Sequence, residues 1–169
     1  MALKKEVISI FVDNQSGVLA RVVSLFGRRG FNIDSLTVSA TNEPTISTIT
    51  IVFKGDDLSL AQIISQTEKL EVVRNIFTLE KEGSLFRELL LLKVKAGKED
   101  RTTVKEIVDI YRGKIIDLSK ESMIIEITGA PEKIDGLMNM LSCYEIVEVC
   151  RTGITAIERG WQEKEKQND

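Results

Sequence analysis

The residues best suited to chemistry sit in one short stretch, Asp13-Asn14-Gln15-Ser16-Gly17-Val18-Leu19, between a strand-like run and a helix-like run. The first N–H groups of a helix have no partner inside it, and the helix dipole makes that end positive, so a carboxylate or phosphate is favoured there. Gly17 lets a ligand approach the backbone closely. Asn14 offers both a donor and an acceptor. Together these groups suit the zwitterionic head of an amino acid, with its carboxylate on backbone N–H groups and its ammonium on side-chain or backbone oxygens. The same residue types also have a plainer use, because Asp, Asn, Ser and Gly cap helices and form turns in any loop of this kind. A second junction, Gly30-Phe31-Asn32-Ile33, leads into the next strand-like run. Taken alone it is a helix C-cap followed by a turn.

Other chemistries are short of parts. The chain of 169 residues contains no histidine, which excludes Ser-His-Asp and Cys-His catalysis, histidine zinc sites and the usual pH switch. Cys143 and Cys150 are spaced neither as a redox pair nor as half of a zinc knuckle, and they read as buried thiols that suit a reducing compartment. No phosphate-binding glycine pattern occurs, and Glu126 and Glu145 read as solvated strand residues rather than an acid–base pair. The net charge of −3 and an aromatic content of 5% argue against a nucleic-acid surface. The N-terminus lacks a long apolar leader region, and no apolar run reaches the length of a membrane span. The expectation is a soluble, cytoplasmic protein with no metal site and no membrane or nucleic-acid partner.

The elements that must position the loop follow from periodicity. Val7–Val12 is a short apolar, β-branched run, expected as a strand buried on both faces. Leu19, Val22, Val23 and Phe26 recur at helical spacing, with Gly30 at the C-cap. Leu36, Val38 and Ala40 alternate with Ser35, Thr37 and Ser39. After the turn at Asn42-Glu43-Pro44, Ile49, Ile51 and Phe53 alternate with Thr48, Thr50 and Val52. These two runs predict a hairpin of half-buried strands with one polar face. Gly55-Asp56-Asp57 opens a helix carrying Leu60, Ile63 and Ile64, and Val72–Leu79 completes a β-α-β-β-α-β order.

The same order returns after a polar break at Glu80–Ser84. Glu88–Val94 is a strand, Val104, Ile107, Val108 and Tyr111 mark a helix, and Ile115–Leu118 and Met123–Thr128 are strands. Pro131 stands at a first helical position before Ile134, Leu137, Met138 and Leu141, and Tyr144–Cys150, extending toward Ile157, is the last strand. The predicted fold class is therefore α+β, with two tandem ferredoxin-like βαββαβ modules. The expected division is 1–80 for the first module, 81–84 for a linker, 85–158 for the second module and 159–169 for a charged tail in which Trp161 is a possible anchor.

Asp13-Asn-Gln-Ser-Gly-Val-Leu-Ala-Arg21 resembles the effector loop of ACT domains, in which a D/E-N-x-x-G-x-L-x-R stretch opens the first helix. Leu25–Val38, Arg87–Val94, Tyr111–Asp117 and Arg151-Thr152-Gly153 are similar, in order and over nearly the whole chain, to stretches of the regulatory (small) subunits of acetolactate synthase. The resemblance implies an N-terminal ACT domain and a ferredoxin-like C-terminal domain. It further implies a homodimer with ACT sheets side by side, and a catalytic large subunit that is activated and made sensitive to feedback in branched-chain amino acid biosynthesis. The effector it implies is valine, isoleucine or leucine, valine foremost. Thiamine diphosphate, Mg and FAD would belong to the catalytic partner, with no cofactor and no catalytic residue on this chain. The implied effector-binding residues are Asn14, Ser16, Gly17, Val18 and Leu19 from one chain, with Asn32 and Ile33 from the other. A different ACT-type amino-acid sensor would share the first loop but not the later motifs. An RNA-binding module of the same topology would need aromatic residues where Thr37, Ser39, Thr48 and Thr50 stand.

Overall fold

In the computed structural model, which describes residues 3–160, both βαββαβ units form as the periodicity predicts. The first contains β1 (Lys4–Asp13), α1 (Val18–Arg28), β2 (Ile33–Ala40), β3 (Ile46–Gly55), α2 (Asp57–Thr67) and β4 (Val73–Thr78). Its strands pair antiparallel in the order β2-β3-β1-β4. The second contains β5 (Ser84–Lys95), α3 (Arg101–Ile110), β6 (Lys114–Leu118), β7 (Ser122–Gly129), α4 (Pro131–Met140) and β8 (Ile146–Arg151), in the order β6-β7-β5-β8. A short β9 (Thr155–Glu158) follows and pairs with the N-terminal half of β5. No helix among the described residues is long and apolar enough to cross a membrane.

Each sheet buries one face beneath its two helices. Ile8, Ile10, Ile49, Ile51 and Phe53 meet Val22 and Phe26 of α1 and Ile63 of α2 in the first core. Leu90, Leu92, Ile125 and Ile127 meet Val104, Val108, Ile134 and Leu137 in the second. The helix ends follow their local chemistry. Gly30 has φ 72, which a glycine adopts without steric cost, and the N–H groups of Gly30 and Phe31 close back on the carbonyls of Gly27 and Phe26. Asp56 accepts the Ser59 N–H at 2.8 Å as the N-cap of α2, and the hydrogen bonds from Ser59 hold its carboxyl below the usual carboxylate range. Pro131 occupies the first turn of α4.

A third cluster joins the two sheets. Val7, Val52 and Leu79, on the helix-free face of the first sheet, pack against Ile154, with Phe77, Phe86 and Ala156 around them. The β5–β9 ribbon thus reaches out of the second sheet and lies on the first. This contact alters one expectation: β3 is not half-exposed, because Thr50 and Val52 on its second face are buried.

Three further readings change. The buried stripe of α1 runs through Val18, Val22, Leu25 and Phe26, while Leu19 is 40% exposed. The run Val18-Leu19 is apolar at both positions, and the helix phase selects the first. Among the described residues strand β2 pairs only with β3, so its expected apolar face is incompletely covered and Val38 and Ala40 are exposed. Cys143 and Cys150 are exposed rather than buried, the first in the turn after α4 and the second on the edge strand β8. Glu126 is half-buried, while Glu145 is exposed and ion-paired with Lys95 at 2.9 Å. Of the expected tail 159–169, Trp161 and the residues after it lie outside the described residues, while Arg159 donates its N–H to Gly83 O at 2.8 Å.

The α1 phase gives a direct test by urea denaturation. Phe26→Ala should cost about 3–5 kcal/mol. Leu19→Ala should cost less than about 1 kcal/mol, since nothing in the core loses a partner.

Candidate functional site

The loop after β1 is held from both sides. Asp13 donates its N–H to Val72 O at 2.8 Å, and its Oδ1 accepts from Arg74 Nε at 2.6 Å. Asn14 donates its N–H to Thr45 O at 2.7 Å and its side-chain NH2 to Pro44 O at 2.9 Å. One N–H of the Asn14 side-chain amide is therefore used to tie the loop to the β2–β3 turn. Gly17 is the N-cap of α1 in the left-handed region, with φ 82, and no side chain caps the helix start. The capping role open to Asp13, Asn14 and Ser16 is thus not taken up. The first turn of α1 instead presents its N–H groups beside Asn14, Ser16 and Gly17, all of which are exposed. Val18 is 4% exposed and its side chain belongs to the core, so it faces the loop only through its backbone. Leu19 projects outward from the same turn.

The other junction lies elsewhere. Asn32 is exposed and Ile33 packs partly on the first core. The register shifts between Ile33 and Ser35, a β-bulge at the start of β2. Strands β1 and β2 both run antiparallel to β3, and Asp13 pairs with Ile46 whereas Ile33 pairs with Phe53. At ~3.4 Å per residue, those two positions on β3 stand roughly 24 Å apart. A single chain therefore holds Asn14–Leu19 and Asn32–Ile33 at opposite ends of its sheet. The outer edge of β2 has no partner strand among the described residues.

A second constellation joins side chains from stretches that are distant in sequence. Arg151 donates to the buried carboxylate of Glu88 and, at 2.8 Å, to Asp135 of α4. Partial burial disfavours its charge, but the two carboxylates outweigh this and raise its pKa further. These residues line a cleft with Lys5, Asp34 and Ser35, between β2 and the second module. Among the described residues, no group of three or more His, Cys, Asp or Glu side chains is gathered to hold a metal.

Residues 8–75 match the family described as the AHAS small subunit-like ACT domain, and residues 87–160 match the small subunit of acetolactate synthase. The acetolactate synthase small subunit of Mycolicibacterium smegmatis is 44% identical over 153 residues, covering 90% of this chain and 90% of the relative. The chain belongs to the acetolactate synthase small-subunit family. A probable small subunit from Archaeoglobus fulgidus is 43% identical over 156 residues, or 92% of this chain and 98% of that protein. The crystal structure of the acetolactate synthase small subunit from Thermotoga maritima superposes with a TM-score of 0.85 at 41% identity, covering 94% of this chain and 99% of that one. Within the family the first module is the ACT domain, and membership as a small subunit implies a separate catalytic subunit.

The space around Gly17 is open, with nothing within 4 Å of the Cβ that any other residue would add. Only the positive φ resists substitution. Gly17→Asp should therefore keep the fold at a cost of about 1 kcal/mol, since Asp tolerates this region, whereas the β-branched Gly17→Val should cost about 2–3 kcal/mol. Urea denaturation of the two variants checks this ordering.

Proposed function

We propose that this small subunit is a non-catalytic regulator that binds a branched-chain amino acid, valine foremost, across a homodimer of ACT domains. In this reading it confers feedback inhibition on the thiamine-diphosphate-dependent catalytic subunit, which it also activates. The observation that carries the reading is the separation of the two junctions. Loop 14–19 and residues 32–33 stand at opposite ends of one sheet, and β2 between them is an edge strand. When two copies pair through β2 about a two-fold axis, the strands run antiparallel, so the loop end of one sheet meets the Asn32 end of the other. Each dimer then forms two equivalent sites.

In such a site the effector carboxylate lies on the N–H groups at the start of α1, where no side chain caps the helix, the Val18 N–H makes only a long 3.5 Å bond to Gln15 O, and the helix dipole favours an anion. Ser16 and the remaining oxygen of the Asn14 amide flank the head group. Asn32 of a second copy supplies a further donor and acceptor to it. The aliphatic side chain lies against Leu19 and the accessible part of Ile33, and Val18 serves through its backbone. One methylene changes affinity by only about 1–3 kcal/mol in a site of this kind, so valine, isoleucine and leucine compete. Because the ligand bridges two chains, it binds the paired arrangement alone. Effector binding and dimer geometry are therefore linked reciprocally. Thiamine diphosphate, Mg and FAD reside on the catalytic subunit.

Calorimetric titration with valine, leucine, isoleucine and an unrelated amino acid tests the reading. Saturable heat is expected with a branched-chain effector. Gly17→Asp should abolish it, because its carboxylate occupies the place of the ligand's, and Asn32→Ala should weaken it about tenfold or more through lost hydrogen bonds. Added to the catalytic subunit, the wild-type chain should raise activity and make it inhibitable, while Gly17→Asp should raise activity without inhibition. Undiminished binding or feedback in Gly17→Asp would refute the site.

A further inference from the structure

Arg151-Thr152-Gly153 lies where the chain leaves β8 and enters the ribbon that covers the first sheet. Gly153 has φ +82, and a Cβ placed on it would stand 2.6 Å from Ser35 Cβ and 3.0 Å from Ser35 Oγ. Glycine is required here twice over, by the backbone conformation and by the close approach to β2. The next residue, Ile154, is buried beside Val7 and Val52, and its carbonyl accepts a hydrogen bond from Thr37 Oγ1 at 3.2 Å. Ser35 pairs with Val52 and Thr37 with Thr50, so both present the helix-free face of β2 to this segment.

The segment is itself firmly held by the second module. Arg151 bonds Glu88 and Asp135. Thr152 exchanges bonds with the Leu89 backbone, its N–H donating to Leu89 O and its Oγ1 accepting from Leu89 N, both at 3.1 Å. Strand β2, by contrast, is weakly constrained at its start. Among the described residues of its own chain it has one strand neighbour, β3, and the bulge between Ile33 and Ser35 interrupts that pairing just where the proposed effector residues enter the sheet.

We infer that Gly153 and Thr37 are positioning residues of the effector site, through which the second module holds β2 and so fixes Asn32 and Ile33. This inference rests on the effector site proposed above. The contacts at Ser35 and Thr37 fall two and four residues beyond Ile33, on the far side of the bulge. A shift of the Gly153 segment therefore moves the start of β2 relative to the rest of its sheet, and a ligand seated on Asn32 in turn favours the seated junction.

The test is calorimetric titration of the full chain with valine for wild type, Thr37→Val, Gly153→Ala, Ser35→Gly and the double variant Ser35→Gly/Gly153→Ala. Thermal unfolding of each is recorded in parallel. Thr37→Val and Gly153→Ala should each bind valine about fivefold or more weakly while remaining folded. Ser35→Gly removes the atom that an alanine at 153 would meet. The double variant should therefore recover affinity relative to Gly153→Ala, yet its melting temperature should stay low because the left-handed strain at 153 persists. A purely structural role would move affinity and stability together. Wild-type affinity in Thr37→Val and Gly153→Ala, or no recovery in the double variant, overturns the inference. Should Gly153→Ala not fold, Thr37→Val decides alone, through the same comparison. Absence of binding by the wild-type chain to valine, leucine or isoleucine would instead overturn the effector site itself, and this inference with it.

Discussion

The antiparallel pairing of β3 with both β1 and β2 constrains everything else in the first module. Two strands that share an antiparallel neighbour run parallel to each other, and α1 must cross over between them. The loop that ends β1 and the turn that begins β2 are then necessarily at opposite ends of the sheet. The local chemistry of each junction is modest: an uncapped helix start beside a left-handed glycine on one side, an exposed asparagine beside a bulge on the other. In the proposed site they come together only when a second copy lies against the β2 edge.

The same strand is where the second module makes contact. Apolar burial of Val7, Val52, Leu79 and Ile154 provides the non-directional part of that contact, and each such side chain contributes roughly 1.5–3 kcal/mol when removed from water. The directional part comes from polar and steric features: the Thr37–Ile154 hydrogen bond and the Gly153–Ser35 approach. Hydrophobic contact alone would allow the ribbon to slide over the sheet, whereas these two contacts fix its register on β2. The Arg151 ion cluster anchors the other side, and with Glu88 buried, removing Arg151 would leave an uncompensated charge.

Much of this was legible in the sequence because it is local. Alternation in β2 and β3, the helical spacing of Val22 and Phe26, the glycine after α1 and the proline opening α4 each report short-range physics. The places where reading failed are those decided by distant partners. Thr50 and Val52 look like a solvated face until residues around 154 cover them, and Thr37 bonds a carbonyl 117 positions away. Glu88 and Arg151 are separated by 63 residues. Leu19 is expected on the buried stripe and misses it for another reason: Val18-Leu19 offers two apolar residues to one stripe, and the packing of α1 selects Val18. The residue type of Cys150 favours burial, but an edge strand exposes it. At the candidate site, the residue types in loop 14–19 were readable, while the use of the Asn14 amide to bind Pro44 O depended on the neighbouring turn.

The most direct measurement uses mixed dimers, prepared from differently tagged Gly17→Asp and Asn32→Ala chains and titrated with valine. If each site takes its loop from one chain and its Asn32 from the other, both substitutions fall in one site of the mixed dimer and the second site is wholly wild type. The account predicts valine binding at wild-type affinity with half the stoichiometry of the wild-type dimer. A mixed dimer that binds no better than either parent would contradict it.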